Sequence, residues 1–133
     1  MTARIALPAA CPCDPSRRYA DCCGRLHAGA ALADTAETLM RSRYSAYALG
    51  DLEYLRASWL PDTCPSELDF EPGVRWLGLD VKRHRRDGED AATVEFVARY
   101  RVGGGSAARL HELSRFVRVE GRWLYVDGEF PQG

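Results

Sequence analysis

Apolar residues recur in this chain with two different periods. From Asp34 to Trp59 they return every three or four positions, and from Trp76 onward they alternate with polar residues. The first period is that of a helix with one buried face and the second that of a half-buried strand. Asp34 reads as a helix N-cap, Glu37 three residues later completes a capping-box pattern, and Met40, Tyr44, Tyr47 and Ala48 form one apolar stripe. Gly50 is a natural stop, and Asp51 can cap a second short helix carrying Leu52, Leu55 and Trp59. Pro61, Pro65 and Pro72-Gly73 mark a loop. The alternation then predicts four strands, Arg75–His84, Ala92–Val102, Arg109–Val119 and Arg122–Asp127. Their links (Arg86-Asp87-Gly88, Gly103-Gly104-Gly105 and Glu120-Gly121) are short hairpin signals, so neighbours must be antiparallel. Helices first and a meander afterwards give an α+β class, with helices packed on one face of a bent antiparallel sheet of about four strands. Residues 28–33 are alanine- and glycine-rich and read as a connector. The expected division is residues 1–33 and residues 34–133.

Composition narrows the function classes. A chain of 133 residues with 46% hydrophobic content can bury a full core in one domain of ordinary size. A formal charge of −1 supplies no field to recruit nucleic acid or an anionic membrane. The basic turn Arg83-His84-Arg85-Arg86 and the arginines near the cysteines leave nucleic acid a weak third reading. No stretch approaches the roughly 20 apolar residues of a membrane span. The weakly apolar run Ile5–Ala10 is shorter than the about 7 residues at which a secretory core begins, so a cytoplasmic location with reduced thiols is expected.

Cysteine changes the picture most. Four of the five cysteines are Cys11, Cys13, Cys22 and Cys23, and the fifth, Cys64, stands alone in a loop. Two close pairs of thiolates separated by a short loop can converge on one tetrahedral cation of borderline softness, usually zinc. Disulfides would have to close very small, strained rings or cross one short loop twice. Four thiolates fill the shell and leave no place for water, so such a zinc is structural. His27, four residues after Cys23, is the competing fourth ligand, ranked behind the adjacent Cys22-Cys23 pair.

Catalytic chemistry, if present, belongs to the sheet. Alternation along Arg109–Val119 puts Leu110, Glu112, Ser114 and Phe116 on one side and His111, Leu113, Arg115 and Val117 on the other. Polar residues on both faces point either to surface pairs or to a polar cavity in which Glu112 and Ser114 meet Tyr125 and Asp127. His111, Glu112, Tyr125 and Asp127 are therefore the weak acid–base candidates. Arg41 and Arg43, set off the helical stripe, read as a solvated face, and His84 as part of an exposed hairpin tip.

Residues 11–24, Cys-Pro-Cys-Asp-Pro-Ser-Arg-Arg-Tyr-Ala-Asp-Cys-Cys-Gly, resemble the SEC-C motif, CPCGSGKKYKxC(C/H)G, a zinc knuckle found at the tail of the SecA translocation ATPase. The ligand positions of that motif fall on Cys11, Cys13, Cys22 and Cys23, and Tyr19 and Gly24 also match. Asp14-Pro15-Ser16-Arg17-Arg18 replaces the glycine- and lysine-rich loop. Leu39–Leu55, Trp76-Leu77-Gly78-Leu79, His111–Phe116 and Gly121–Gly128 are similar to the bacterial YchJ family, and the two resemblances together cover nearly the whole chain. The likeness implies a cone like that of nuclear transport factor 2 enclosing a pocket, with a knuckle that docks a protein or the ribosome. The cone would hold a small ligand or support a homodimer. Because that fold serves enzymes and binding modules alike, two readings stand. One is a zinc-bearing binding module. The other is an isomerase- or dehydratase-like enzyme whose pocket is lined by Glu112, Tyr125 and Asp127.

Overall fold

The structure, a computed structural model, describes residues 7–131, so the run that begins at Ile5 lies partly outside the described residues. A two-stranded ladder of β1 (Ala10–Cys11) and β2 (Asp14–Arg18) opens the chain, followed by a 3-10 turn at Tyr19–Asp21 and a short helix α1 (Cys23–His27). Helices α2 (Ala36–Leu49) and α3 (Leu52–Ala57) precede strands β3 (Val74–Arg86), β4 (Ala91–Val102), β5 (Ala108–Val119) and β6 (Arg122–Glu129). The four strands form an antiparallel meander in the order β3-β4-β5-β6. No helix among the described residues is long and apolar enough to cross a membrane.

The α2 cap sits one residue later than the sequence predicts. Thr35, not Asp34, is the N-cap: it is extended (φ −135°, ψ 162°), and its side chain accepts the Thr38 N–H. Glu37 does not close a capping box; it accepts from Arg41 Nε at 3.0 Å and lies 3.9 Å from His84. His84 is accordingly a strand residue opposite Val94, since β3 runs to Arg86 and the turn begins beyond it. Gly50 ends α2 with φ 76°, a left-handed conformation that disfavours any residue with a Cβ, and Asp51 caps α3 by accepting the Tyr54 N–H at 3.0 Å.

α2 is buried on more than one side, which explains why its stripe is hard to see. Leu39, Met40, Tyr44 and Ala46 are buried, but so are Ser42, Arg43 and Ser45. Met40 and Tyr44 pack in one core with Val94, Phe96, Ala98, Phe116 and Trp123 of the sheet. The polar residues are tolerated because each has a partner: Ser42 Oγ lies 2.7 Å from Tyr54 Oη, and Arg43 reaches α3. The segment after α3 is tied to β6, Leu60 N donating to Tyr125 O at 2.8 Å and Tyr125 N to Ser58 O at 2.9 Å.

Three bulges bend the sheet, leaving Leu77, Lys82 and Val126 as extra residues without a cross-strand partner. The β5–β6 hairpin turns through Glu120 and Gly121 at φ 51° and 80°, the pair of positive values a two-residue I′ turn requires.

Candidate functional site

Two sites emerge, one at each side of α2. The first is the cysteine cluster. Pro12 restricts the chain between Cys11 and Cys13, and Asp14 steadies the following turn by accepting from Ser16 N at 3.0 Å and Ser16 Oγ at 2.7 Å. The Tyr19–Asp21 turn then delivers Cys22 and Cys23 to the start of α1, with Cys22 N donating to Tyr19 O at 3.0 Å. Cys13 Sγ lies 3.6 Å from each of Cys11, Cys22 and Cys23 Sγ, and all four sulfurs fall within 4.8 Å of one another. A tetrahedral centre with bonds of about 2.3 Å requires sulfur–sulfur edges of about 3.8 Å. The cluster therefore has the dimensions to hold a metal ion. The same separations exclude disulfides within the cluster, and none of the five cysteines is disulfide-bonded.

Crowding supplies an electrostatic reason for a cation. Hydrogen bonding with Cys13 holds the Cys11 thiol well below its ordinary value, and bonding with Cys11 pushes Cys13 up to about 12 and Cys23 upward too. One thiolate thus suppresses its neighbours, a conflict a divalent ion removes. The cluster is also anchored to α2. Cys11 Sγ lies 3.6 Å from Ser45 Oγ, and Arg41 Nη1 donates to Cys13 O at 3.3 Å.

His27 is not part of the cluster. Its Nε2 lies 2.8 Å from Ser42 O, which can only accept, so Nε2 carries the proton and Nδ1 accepts from Tyr19 Oη at 2.6 Å. Both ring nitrogens are engaged, Nε2 joining the knuckle to α2 and Nδ1 bracing Tyr19 within the knuckle. Cys64 is remote from the cluster, its Sγ 3.6 Å from Pro65 O. Gly24 has a steric role, because a Cβ there would stand 2.6 Å from the Tyr19 carbonyl oxygen. Gly24→Ala is expected to displace the turn that presents Cys22 and Cys23 and to weaken metal affinity by about tenfold or more, measured by competition with a chromophoric chelator.

The second site is a cavity of about 360 Å³ between α2 and the concave face of the sheet. Of the four residues in the polar-cavity alternative, Glu112, Ser114 and Tyr125 meet there. Ser114 Oγ donates to Glu112 Oε2 at 2.6 Å and Tyr125 Oη donates to the same oxygen at 2.9 Å, while Oε1 has no partner among the described residues. Burial first, then the Glu112 charge, pushes the Tyr125 phenol far up, so it serves as a donor. Gly128 lies beneath this carboxylate, where a Cβ would fall 2.3 Å from Glu112 Oε2 and force the side chain to shift.

Asp127 is not in the cavity. The extra residue Val126 shifts the alternation, so Tyr125 faces Phe116 while Asp127 pairs with Arg115 on the outer face, where Arg115 Nε donates to it at 2.6 Å. His111 also lies outside, its Nε2 2.7 Å from Glu95 Oε2.

Arg43 corrects the expectation of a solvated face. It is only 5% exposed and lines the cavity. Nη1 donates to Leu55 O at 2.9 Å and Ser58 Oγ at 2.7 Å, and the guanidinium carbon lies 4.7 Å from the Trp59 ring centre and 4.4 Å from that of Tyr125. Desolvation pulls its pKa down, partly offset by Tyr47, Tyr125 and Glu112, but an arginine stays charged. The signal was present in the spacing: 40, 43, 44 and 47 share one helical face, and Arg43 lies on the stripe rather than beside it. Arg41 is half-buried against the cysteine loop rather than fully solvated.

Residues 35–128 match the family described as YchJ, middle NTF2-like domain. The chain is 56% identical to a UPF0225 protein of Ralstonia nicotianae, over 97% of this chain and 99% of that protein. It is 59% identical to a UPF0225 protein of Cupriavidus metallidurans, over 94% and 92%. Among solved structures, a SEC-C motif containing protein from Rhodopseudomonas palustris superposes with TM-score 0.82 at 36% identity, covering 92% of this chain and 99% of that one. A second SEC-C motif containing protein, from Psychrobacter arcticus, gives TM-score 0.74 at 32% identity, with 93% and 84% covered.

Proposed function

The chain belongs to the YchJ family of bacterial UPF0225 proteins, and on that premise we propose that it is a binding module built around a structural zinc ion. The observation that carries this reading is the buried tetrad Cys11, Cys13, Cys22 and Cys23, whose sulfurs approach the edge length of a zinc tetrahedron. Zinc is preferred over other cations because an all-thiolate donor set is soft and tetrahedral. A full shell gives the metal no open position, so it supplies rigidity rather than Lewis acidity. In this reading residues 1–33 form a knuckle on a cone of residues 34–133, working in the cytoplasm. Arg17, Arg18 and Arg25, all exposed around the metal, offer a docking face for an acidic protein or ribosomal surface.

Metal analysis of purified protein tests the reading. Wild type should carry one zinc per chain, Cys22→Ser should lose it, and His27→Phe should keep it while losing stability. Metal-free wild type, or loss of zinc on replacing His27, would overturn the assignment.

The enzyme reading survives in one residue. Of the four acid–base candidates, His111 and Asp127 are engaged outside the cavity and Tyr125 holds its proton. Glu112 is left as the single group that could accept a proton there, through Oε1.

A further inference from the structure

The cone cavity combines features that a filled hydrophobic core does not need. Arg43 is a buried cation whose two Nη1 protons go to Leu55 O and Ser58 Oγ. Tyr47 takes at most one more of its five donors, so at least two remain. Glu112, 9% exposed, presents a carboxylate whose Oε1 has no partner among the described residues. The two charges line one cavity and influence each other, yet no ion pair joins them. Holding a separated, buried pair without closing it is expensive, because each ion loses water and neither gains direct contact. Trp59, on the same lining, adds an indole N–H that is buried without an acceptor among the described residues. The remaining walls are largely aromatic and aliphatic, among them Tyr44, Tyr47, Trp76 and Phe116.

Charge decides what fits between Arg43 and Glu112. A lone anion would satisfy Arg43 but meet the Glu112 carboxylate, and a lone cation would meet Arg43. A molecule with no net charge, offering an acceptor to one and a donor to the other, satisfies both. Aromatic walls favour a flat body that can stack or make edge contacts. A volume of about 360 Å³ admits one or two rings. We propose that the cone pocket binds a neutral planar ring compound of the lactam or amide-edged heterocycle class, whose carbonyl oxygen accepts from Arg43 and whose adjacent ring N–H donates to Glu112 Oε1. This goes beyond the zinc module and does not depend on it, since the metal site contributes no atom to the cavity.

The test uses the full zinc-loaded chain and three small probes: 2-pyridone, benzoate and benzylamine. Affinities are read by NMR titration, with metal content measured in parallel so that failure of the pocket is separable from failure of the zinc site. Wild type should bind 2-pyridone at least about tenfold more tightly than either charged probe, a difference set by one unpaired charge. Glu112→Gln should reverse the order, because the amide that replaces Oε1 becomes a donor and Arg43 is left as the sole charge. 2-Pyridone should weaken and benzoate should gain, each by about tenfold. Intermolecular NOEs from 2-pyridone to Trp76 and Phe116 in wild type provide a readout independent of any variant. Benzoate or benzylamine binding wild type as tightly as 2-pyridone would overturn the proposal. So would absence of those NOEs at high 2-pyridone, or an unchanged ranking in folded Glu112→Gln.

Discussion

Stripping the metal with a chelator is expected to lower the melting temperature of the entire protein, by more than about 10 °C, rather than to loosen its first residues alone. Losing a structural metal belongs to the few changes worth more than about 4 kcal/mol, and a chain of this size moves several degrees per kcal/mol. The reason for a global effect lies in the packing. Cys11, Cys13, Tyr19, Cys22, Cys23 and Leu26 belong to the same buried cluster as Leu39, Met40, Val94 and Phe116. The knuckle also donates and accepts hydrogen bonds along α2 through Ser45, Cys13 O and the His27–Ser42 bridge. Without a cation the four crowded sulfurs are expected to separate, and α2, once released on this flank, also loses part of its support against the sheet. Thermal unfolding followed by far- and near-ultraviolet circular dichroism, with and without chelator, measures this. An unchanged main transition after proven metal removal would refute it.

Arg43→Met is expected to destabilise by about 3–5 kcal/mol, because two buried hydrogen bonds donated by a charged group are lost at roughly 1.5–3 kcal/mol each. Methionine has a similar length and good helix propensity, so neither a large cavity nor a backbone effect clouds the result. What disappears is the pair of bonds to Leu55 O and Ser58 Oγ that join α2 to the end of α3, together with the cation over Trp59 and Tyr125. Glu112 is then the uncompensated charge of the cavity. Arg43→Lys should not restore stability, because one ammonium cannot reproduce the planar, two-ring contact. Urea unfolding curves read both variants, and a loss below about 1 kcal/mol for the methionine variant would show that the guanidinium is not the link between the helices.

The legible parts of this chain are those dictated by local chemistry. Strand alternation, the turn at Glu120-Gly121, the Gly50 stop and the Asp51 cap all follow from backbone preferences that act over a few residues. The cysteine spacing was legible because metal chemistry leaves few other uses for two close thiol pairs. Arg43 was misplaced for a different reason. A charged residue on an apolar stripe is normally assigned to solvent, and only tertiary partners 12 and 15 residues away make its burial tolerable. Asp127 failed through register. A strict period of two is the only rule a strand reading can apply, and nothing in Tyr125-Val126-Asp127 announces a bulge. Thr35 and Asp34 are both good caps, and side-chain geometry chooses between them.

That bulge has an unusual corollary for insertions and deletions. A strand packed on one side normally tolerates no single-residue gap, since every side chain beyond it changes face. In β6 one position is exempt. Removing Val126 would bring Tyr125 and Asp127 into direct succession, with Tyr125 still turned inward, Asp127 outward and Gly128 beneath Glu112. The same loss at Leu124 would instead invert one side of the strand relative to the other. The strand is thus spelled with one silent letter, whose omission would flatten the local twist while leaving both faces readable.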